Sequence, residues 1–228
     1  PTSTLVSVII PNFNYSIYLT QCINSVLKSD FNISNIEIIV VDDASTDNSV
    51  AIVQEMMQSI SSIRLIQNDT NLGLTRSRNR GIVNAKGVYL FFLDADNYIT
   101  EACIKEHTSI LDHHPEFSAC YAPCQEFLNE TNELLLKRSN DYFNYQKLLY
   151  GNYIDAMAMF RKKDIMEVGM YDLMMPPYFW EDYELWLRLG KLNKKIHFIN
   201  GNALSYYRMH KNNLSSKITN YNYNILIH

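Results

Sequence analysis

The sequence predicts an α/β fold built on a mostly parallel, Rossmann-like central sheet flanked by helices. Short apolar runs alternate with amphipathic stretches of helical period from Leu5 to Leu93, the rhythm that makes a parallel sheet with right-handed crossovers. One run, Val88-Tyr89-Leu90-Phe91-Phe92-Leu93, is apolar without a break, as expected of a strand covered on both faces. It ends in Asp94-Ala95-Asp96, two carboxylates one residue apart, at the carboxyl edge where open α/β sheets gather their ligands.

The elements follow in order. Leu5 to Ile10 reads as a first strand, stopped by Pro11-Asn12-Phe13-Asn14 because proline removes a ladder donor. From Tyr18 to Lys28, Leu19, Cys22, Ile23, Val26 and Leu27 recur at helical spacing and give one face to bury. Ile36 to Val41 is a second strand, closed by Asp42-Asp43-Ala44-Ser45-Thr46-Asp47, after which Val50, Val53, Met56, Met57 and Ile60 mark a second amphipathic helix. A short strand over Ile63 to Gln67 precedes Asn71-Leu72-Gly73 and a helix through Arg78 to Ala85, with Gly87 as its C-cap. Beyond the Val88 strand come a helix through Leu111, a strand from Phe117 to Ala122 and an irregular polar stretch from Asn129 to Asn144. Asp155 to Phe160 reads as a strand, Asp164 to Val168 as a short helix ended by Gly169, and Pro176-Pro177 as a rigid loop. Glu181-Asp182 opens a further helix with Leu185, Trp186 and Leu189 on its apolar face. Ile196 to Tyr207 completes the pattern as strand, turn and strand around Asn200-Gly201.

At 228 residues and 47% hydrophobic content the chain suits one domain with two functional halves. A formal charge of -4 and the lack of any like-charge block disfavour nucleic acid. No apolar run approaches the length of a membrane span, and Pro1-Thr2-Ser3-Thr4 resembles no targeting signal. The expectation is a soluble, cytoplasmic piece. Because it starts without Met and ends in an Asn/Tyr-rich tail, it is expected to be cut from a longer protein. Cys22, Cys103, Cys120 and Cys124 fit a reducing compartment and lack zinc spacing.

Asp94 and Asp96 are hard oxygen ligands of the kind that hold Mg²⁺ or Mn²⁺ together with nucleotide phosphates. The plainer alternative is a helix-capping aspartate ahead of Thr100-Glu101. Neither G-x-G-x-x-G nor G-x-x-x-x-G-K-[ST] occurs at the expected places, so phosphate has to be held without a glycine cradle. Glu181 and Asp182 lie in a first helical turn, where the macrodipole favours ionised carboxylates.

Five ordered blocks carry a family resemblance: Val6 to Asn14, Val40 to Asp47, Asn71 to Gly81, Leu93-Asp94-Ala95-Asp96 and Trp180-Glu181-Asp182. With them the chain resembles the family 2 glycosyltransferases, of GT-A fold, over roughly Leu5 to Ser216. The resemblance implies a single catalytic domain over residues 1–216, with a nucleotide-sugar-binding half at 5–99, an acceptor-binding half at 100–216 and a tail at 217–228. It implies that Pro11, Asn12, Phe13, Asp43, Arg78, Asp94 and Ala95 bind the nucleotide, Asp43 accepting from the base imide and Arg78 meeting nucleotide or phosphate. Asp96, with Asp94 and His210, is the implied Mn²⁺ or Mg²⁺ site, Asp94 alternatively touching ribose or acting through water. Asp182, with Glu181 beside it, is the implied base of an inverting displacement on a UDP-sugar. Tyr178, Phe179 and Trp180 are candidate acceptor-stacking rings, with core packing as their alternative. The implied acceptor is a glycan or lipid-linked glycan, which leaves peripheral attachment to the inner face of a membrane open. The competing reading is a noncatalytic nucleotide-sugar-binding module of a larger assembly. A phosphatase or nucleotidyltransferase fits less well, since Asp96 is followed by Asn97-Tyr98 late in the sheet and Pro11-Asn12-Phe13-Asn14 is not a glycine-rich loop.

Overall fold

A computed structural model describes residues 5–174, 180–211 and 213. Pro176, Pro177, Tyr178, Phe179 and the 217–228 tail lie outside the described residues. The chain begins β1 (Val6–Asn12), α1 (Ser16–Leu27), β2 (Ile36–Asp42), α2 (Ser49–Ser59), β3 (Ile63–Gln67), α3 (Leu74–Asn84) and β4 (Tyr89–Phe92). It continues through β5 (Tyr98–Ile99), α4 (Cys103–His113), β6 (Phe117–Tyr121), β7 (Cys124–Leu128), β8 (Leu134–Arg138), α5 (Tyr145–Leu148) and β9 (Ala158–Arg161). α6 (Lys162–Glu167), α7 (Glu181–Lys191), β10 (Lys195–Phe198) and β11 (Ser205–Met209) follow. A seven-stranded sheet runs β10-β6-β9-β4-β1-β2-β3, and a four-stranded one runs β5-β11-β7-β8.

The large sheet is parallel except for β9, which pairs antiparallel with both β4 and β6. Its strands are apolar on both faces because each face carries its own core. Val6, Val8 and Ile10 of β1 pack with Leu19, Cys22, Ile23 and Val26 of α1, whereas Ile9 points to the other side with Ile82, Phe92 and Trp186. Residues two apart share a face, so β4 divides the same way: Tyr89 and Phe91 on one side, Leu90 and Phe92 on the other.

Several boundaries differ from the sequence reading, each for a local reason. β1 does not stop at Ile10 but runs through Pro11 to Asn12. Ile9 O accepts from Leu93 N and Asn12 O from Asp43 N, so alternate residues face β4 and β2 in turn. The missing N–H of Pro11 therefore points toward β4, whose pairing has already ended at Phe92. Met57, expected on the buried face of α2, is 39% exposed. The irregular stretch from Asn129 contains β8, an exposed edge strand paired antiparallel with β7. The two strands around Asn200-Gly201 do not pair with each other; β10 joins the large sheet and β11 the small one.

Gly87 does not cap α3, whose C-cap is Ala85. Its N–H instead donates to Ser7 Oγ at 2.8 Å and Glu37 Oε1 at 3.2 Å. A Cβ there would lie 2.6 Å from the Ser7 backbone nitrogen, and backbone cannot yield as a side chain can. Gly87→Ala is expected to cost about 1–3 kcal/mol, the range for overpacking a tight core. An unchanged urea midpoint would show that β1 and the α3–β4 connection tolerate separation.

Candidate active site

The carboxyl ends of β1, β2 and β4 bring the acidic loops to one edge. At the end of β2, Asp42 Oδ1 accepts from Asn12 Nδ2 at 2.8 Å and its Oδ2 from Ser45 N at 3.0 Å, tying the first two strand ends together. Asp43 accepts from Asn68 Nδ2 at 2.6 Å, Leu72 N at 2.8 Å and Gly73 N at 2.8 Å. It thus holds the turn ahead of α3. An ionised carboxylate has about four acceptor positions, and three of them are used within the protein. Of the three residues at the β1 end expected to meet nucleotide, Phe13 is 41% exposed while Pro11 and Asn12 are buried. Asn12 is therefore a strut between strands.

Arg78, expected to meet nucleotide or phosphate, is not a solvated helix-surface arginine. Its side chain is 1% exposed, and α3 drives it beneath the strand ends. Nη2 meets Asp94 Oδ1 at 2.7 Å and Nη1 meets Glu181 Oε1, while the guanidinium carbon lies 5.3 Å from the Tyr171 ring centroid. Burial works against its charge, but Asp94, Glu181 and Asp182 outweigh burial and keep it firmly protonated. One guanidinium therefore joins Asp94, just after β4, to the first turn of α7.

Ala95 is buried, and Asp94 and Asp96 diverge around it. Asp94 turns to Arg78, while Asp96 Oδ2 lies 3.0 Å from His210 Nε2. Burial raises the Asp96 carboxyl above the ordinary range, with Asp94 adding to the rise and His210 opposing it. Asp96 and His210 are thus direct partners, a carboxylate and an imidazole of the types that can also hold a divalent cation. Asp94 does not join them: no group of three such residues able to hold a metal is assembled among the described residues.

Neighbours unmarked in the sequence reading build this side. Arg208 of β11 donates from Nε to Asp96 O at 2.7 Å and from its backbone N to Asn97 Oδ1 at 2.8 Å, pinning the loop after β4 to the small sheet. The rings of Tyr15 and Tyr18 lie 5.7 and 4.9 Å from that of His210. Burial raises the Tyr15 hydroxyl, and Asp96 and Asp94 add to it. In the sequence, only the place of Arg208 two residues before His210 hints at any of this.

Across the cleft, Trp180 enters α7 in the left-handed conformation (φ 51°) and sets its ring 5.7 Å from that of Tyr183, partly packed against the core. Of its expected companions, Tyr178 and Phe179 lie outside the described residues. Glu181 is buried and its carboxylate is paired with Arg78. Asp182, one residue on, faces a cavity of about 520 Å³ walled also by Asn152, Asp155, Arg138, Asp141 and Lys147. Asn152 Nδ2 donates to Asp182 Oδ2 at 3.2 Å. Burial pushes the Asp182 carboxyl up to about 7, Glu181 and Asp155 raising it further and Arg78 pulling it down. Asp43, Asp94 and Asp96 are not among the described walls of this cavity; the connection between the two sides runs through Arg78.

The sequence pattern described as Glycosyl transferase family 2 matches residues 7–169. An uncharacterized glycosyltransferase of Haemophilus influenzae is 30% identical over 214 residues, 93% of this chain and 82% of the relative. Poly(ribitol-phosphate) beta-N-acetylglucosaminyltransferase TarS of Staphylococcus aureus is 35% identical over 109 residues, 47% of this chain but only 19% of TarS. The crystal structure of S. aureus TarS 1–349 in complex with UDP-GlcNAc superposes with a TM-score of 0.79 at 22% identity, covering 94% of this chain and 61% of that one. At that identity the likeness concerns the fold.

Proposed function

From the premise that the chain belongs to glycosyl transferase family 2, we propose that it transfers a sugar from a nucleoside-diphosphate sugar to an acceptor hydroxyl by an inverting single displacement. The observation that carries this reading is the Asp94–Arg78–Glu181 bridge, which anchors the acidic edge after β4 to the helix turn bearing Asp182. A UDP-sugar is the favoured donor, supported by the TarS complex with UDP-GlcNAc and by the acceptor position left on Asp43. Glycan or lipid-linked glycan assembly is supported by relatives named for poly(ribitol-phosphate) and minor teichoic acid biosynthesis. Residues 5–99 serve the nucleotide and 100–216 the acceptor within one catalytic domain. No helix among the described residues is long and apolar enough to cross a membrane.

Asp182 takes the proton of the acceptor hydroxyl while that oxygen bonds to the anomeric carbon, and the carbon–oxygen bond to the diphosphate breaks with its electron pair leaving on the phosphate. Asn152 steadies one Asp182 oxygen, and Glu181 is kept from competing by Arg78. A bound Mn²⁺ or Mg²⁺ would supply Lewis-acid neutralisation of the departing diphosphate, with Asp96 and His210 to hold it and Asp94 alongside.

Transfer is tested with UDP-GlcNAc and related UDP-sugars, the product anomer being read by NMR. An inverted product formed in proportion to enzyme is expected; donor binding with neither transfer nor hydrolysis across acceptors would favour the binding-module reading. His210→Ala is expected to weaken Mn²⁺ binding at least tenfold, a rough scale set by losses at supported metal sites. Calorimetry with Mn²⁺ alone reads this, and equal affinities would remove His210 from the ligand set.

A further inference from the structure

We propose that Asp155 is a positioning residue for the proton transfer, setting a second carboxylate against Asp182 in the acceptor cavity and so strengthening Asp182 as a base. The inference rests on reading Asp182 as the base and adds a residue that none of the five sequence blocks contains.

Both carboxylates are walls of the same cavity. The segment between α5 and β9 has no regular structure where it carries Asp155, yet hydrogen bonds fix it. Asn152 Oδ1 accepts from Ile154 N at 3.1 Å while its Nδ2 reaches Asp182; Asp155 N donates to Ser139 Oγ at 2.6 Å, and Asp155 Oδ1 accepts from Met157 N at 3.0 Å. One short stretch therefore grips Asp182 through Asn152 and presents Asp155 three residues later.

The surrounding charge is unbalanced. Arg78, from α3, is occupied by Asp94 and Glu181. Arg138, from β8, gives its Nε to Glu126, and Lys147 at the cavity mouth is bound by Asp141. Lys137 also lines the cavity. No described cation makes a direct ion pair with Asp155 or Asp182, so each carboxylate makes the other's ionisation harder. Burial brings Asp155 up to about 6, Asp94 adding to the rise while the Met157 N–H, Arg138 and Arg78 oppose it. A charge on Asp155, a wall of the same cavity, makes the Asp182 carboxylate hold a proton more tightly. A carboxylate poised near the working pH is the more effective general base.

The test is kcat/KM against pH for the intact chain, its Asp155→Asn variant and its Asp155→Glu variant. Asparagine keeps an Oδ1 for Met157 and loses the charge. It is expected to move the acid limb down by roughly half to one pH unit and to lower the plateau several-fold, because a less basic Asp182 transfers protons less well, with donor KM unchanged. Glutamate, which retains the charge, is expected to restore the limb. A stationary limb in a folded Asp155→Asn variant overturns the proposal. Should that variant fail to fold, ¹³C titration of the wild-type carboxyls decides: mutually dependent titration of Asp155 and Asp182 supports the inference, and two independent curves overturn it. Transfer surviving in Asp182→Asn would mark a failure of the base assignment itself, a separate result.

Discussion

Asp182→Asn is expected to lower sugar transfer by a hundredfold to ten-thousandfold, the usual range for removing a positioned general base, while leaving UDP-sugar affinity within about twofold. The substitution preserves shape, and the new side-chain oxygen can still accept from Asn152 Nδ2, so the loss reports proton transfer and not collapse of the cavity. The wild-type profile follows from the same environment. With the carboxyl pushed up to about 7, the base is ionised above that pH, and kcat/KM should rise through it and level off on the alkaline side. Stability should change in the opposite sense. A folded value above the ordinary carboxyl value near 4 means that the native state holds this proton more tightly than the unfolded chain. Ionising Asp182 therefore opposes folding progressively as pH rises from about 4 to about 7. At pH 8 the Asn variant should melt at a higher temperature than wild type, and the gap should close toward pH 4. Retained transfer would dismiss Asp182 as base; lost transfer with an unchanged melting temperature at every pH would mean that its buried charge costs nothing.

What the sequence made legible was whatever repeats or concentrates. Strands buried on both faces and helices with one apolar stripe leave periodicities, and β1 through β4 with their helices lie within two or three residues of the expected places. The carboxylates of Asp43, Asp96 and Asp182 stood out because each ends or begins an element. Three-dimensional pairing left no such trace. That Arg78 serves Asp94 and Glu181, 103 residues apart from the latter, depends on how α3 and α7 pack. That Asp155 joins Asp182 depends on a loop held by Ser139 and Asn152. β8 is an exposed edge strand with three consecutive leucines, so it shows neither the alternation of a half-buried strand nor the turn signals that would have bounded it. Asn12 read as a nucleotide contact because of the block it belongs to, while its side chain is directed to Asp42 by the register of β1 on β2.

Arg78→Met is expected to destabilise the fold by about 3–5 kcal/mol, the scale for removing one partner of a buried ion pair and a large share of the roughly 5–15 kcal/mol that holds a domain together. Most of the loss should come from Glu181, whose side chain is 9% exposed, and less from Asp94, which at 27% can turn toward water. Lysine should not rescue the site. Two nitrogens of one planar guanidinium reach carboxylates arriving from two elements, whereas an ammonium is a single compact charge on a flexible stem. Neutralising the stranded acid should rescue it: Arg78→Met combined with Glu181→Gln is expected to recover half or more of the lost stability, since replacing both members of a buried pair is far milder than orphaning one. A urea-unfolding double-mutant cycle measures this directly. A loss below about 1 kcal/mol in the single variant, the scale of an exposed pair, would show that Arg78 is not the bridge between the two sides. If stability returns in the double variant but transfer does not, the bridge has a second consequence: with the tie to Asp94 cut, the first turn of α7 no longer holds Asp182 at the reach an acceptor hydroxyl requires, a displacement that in near-attack terms costs about a hundredfold per ångström.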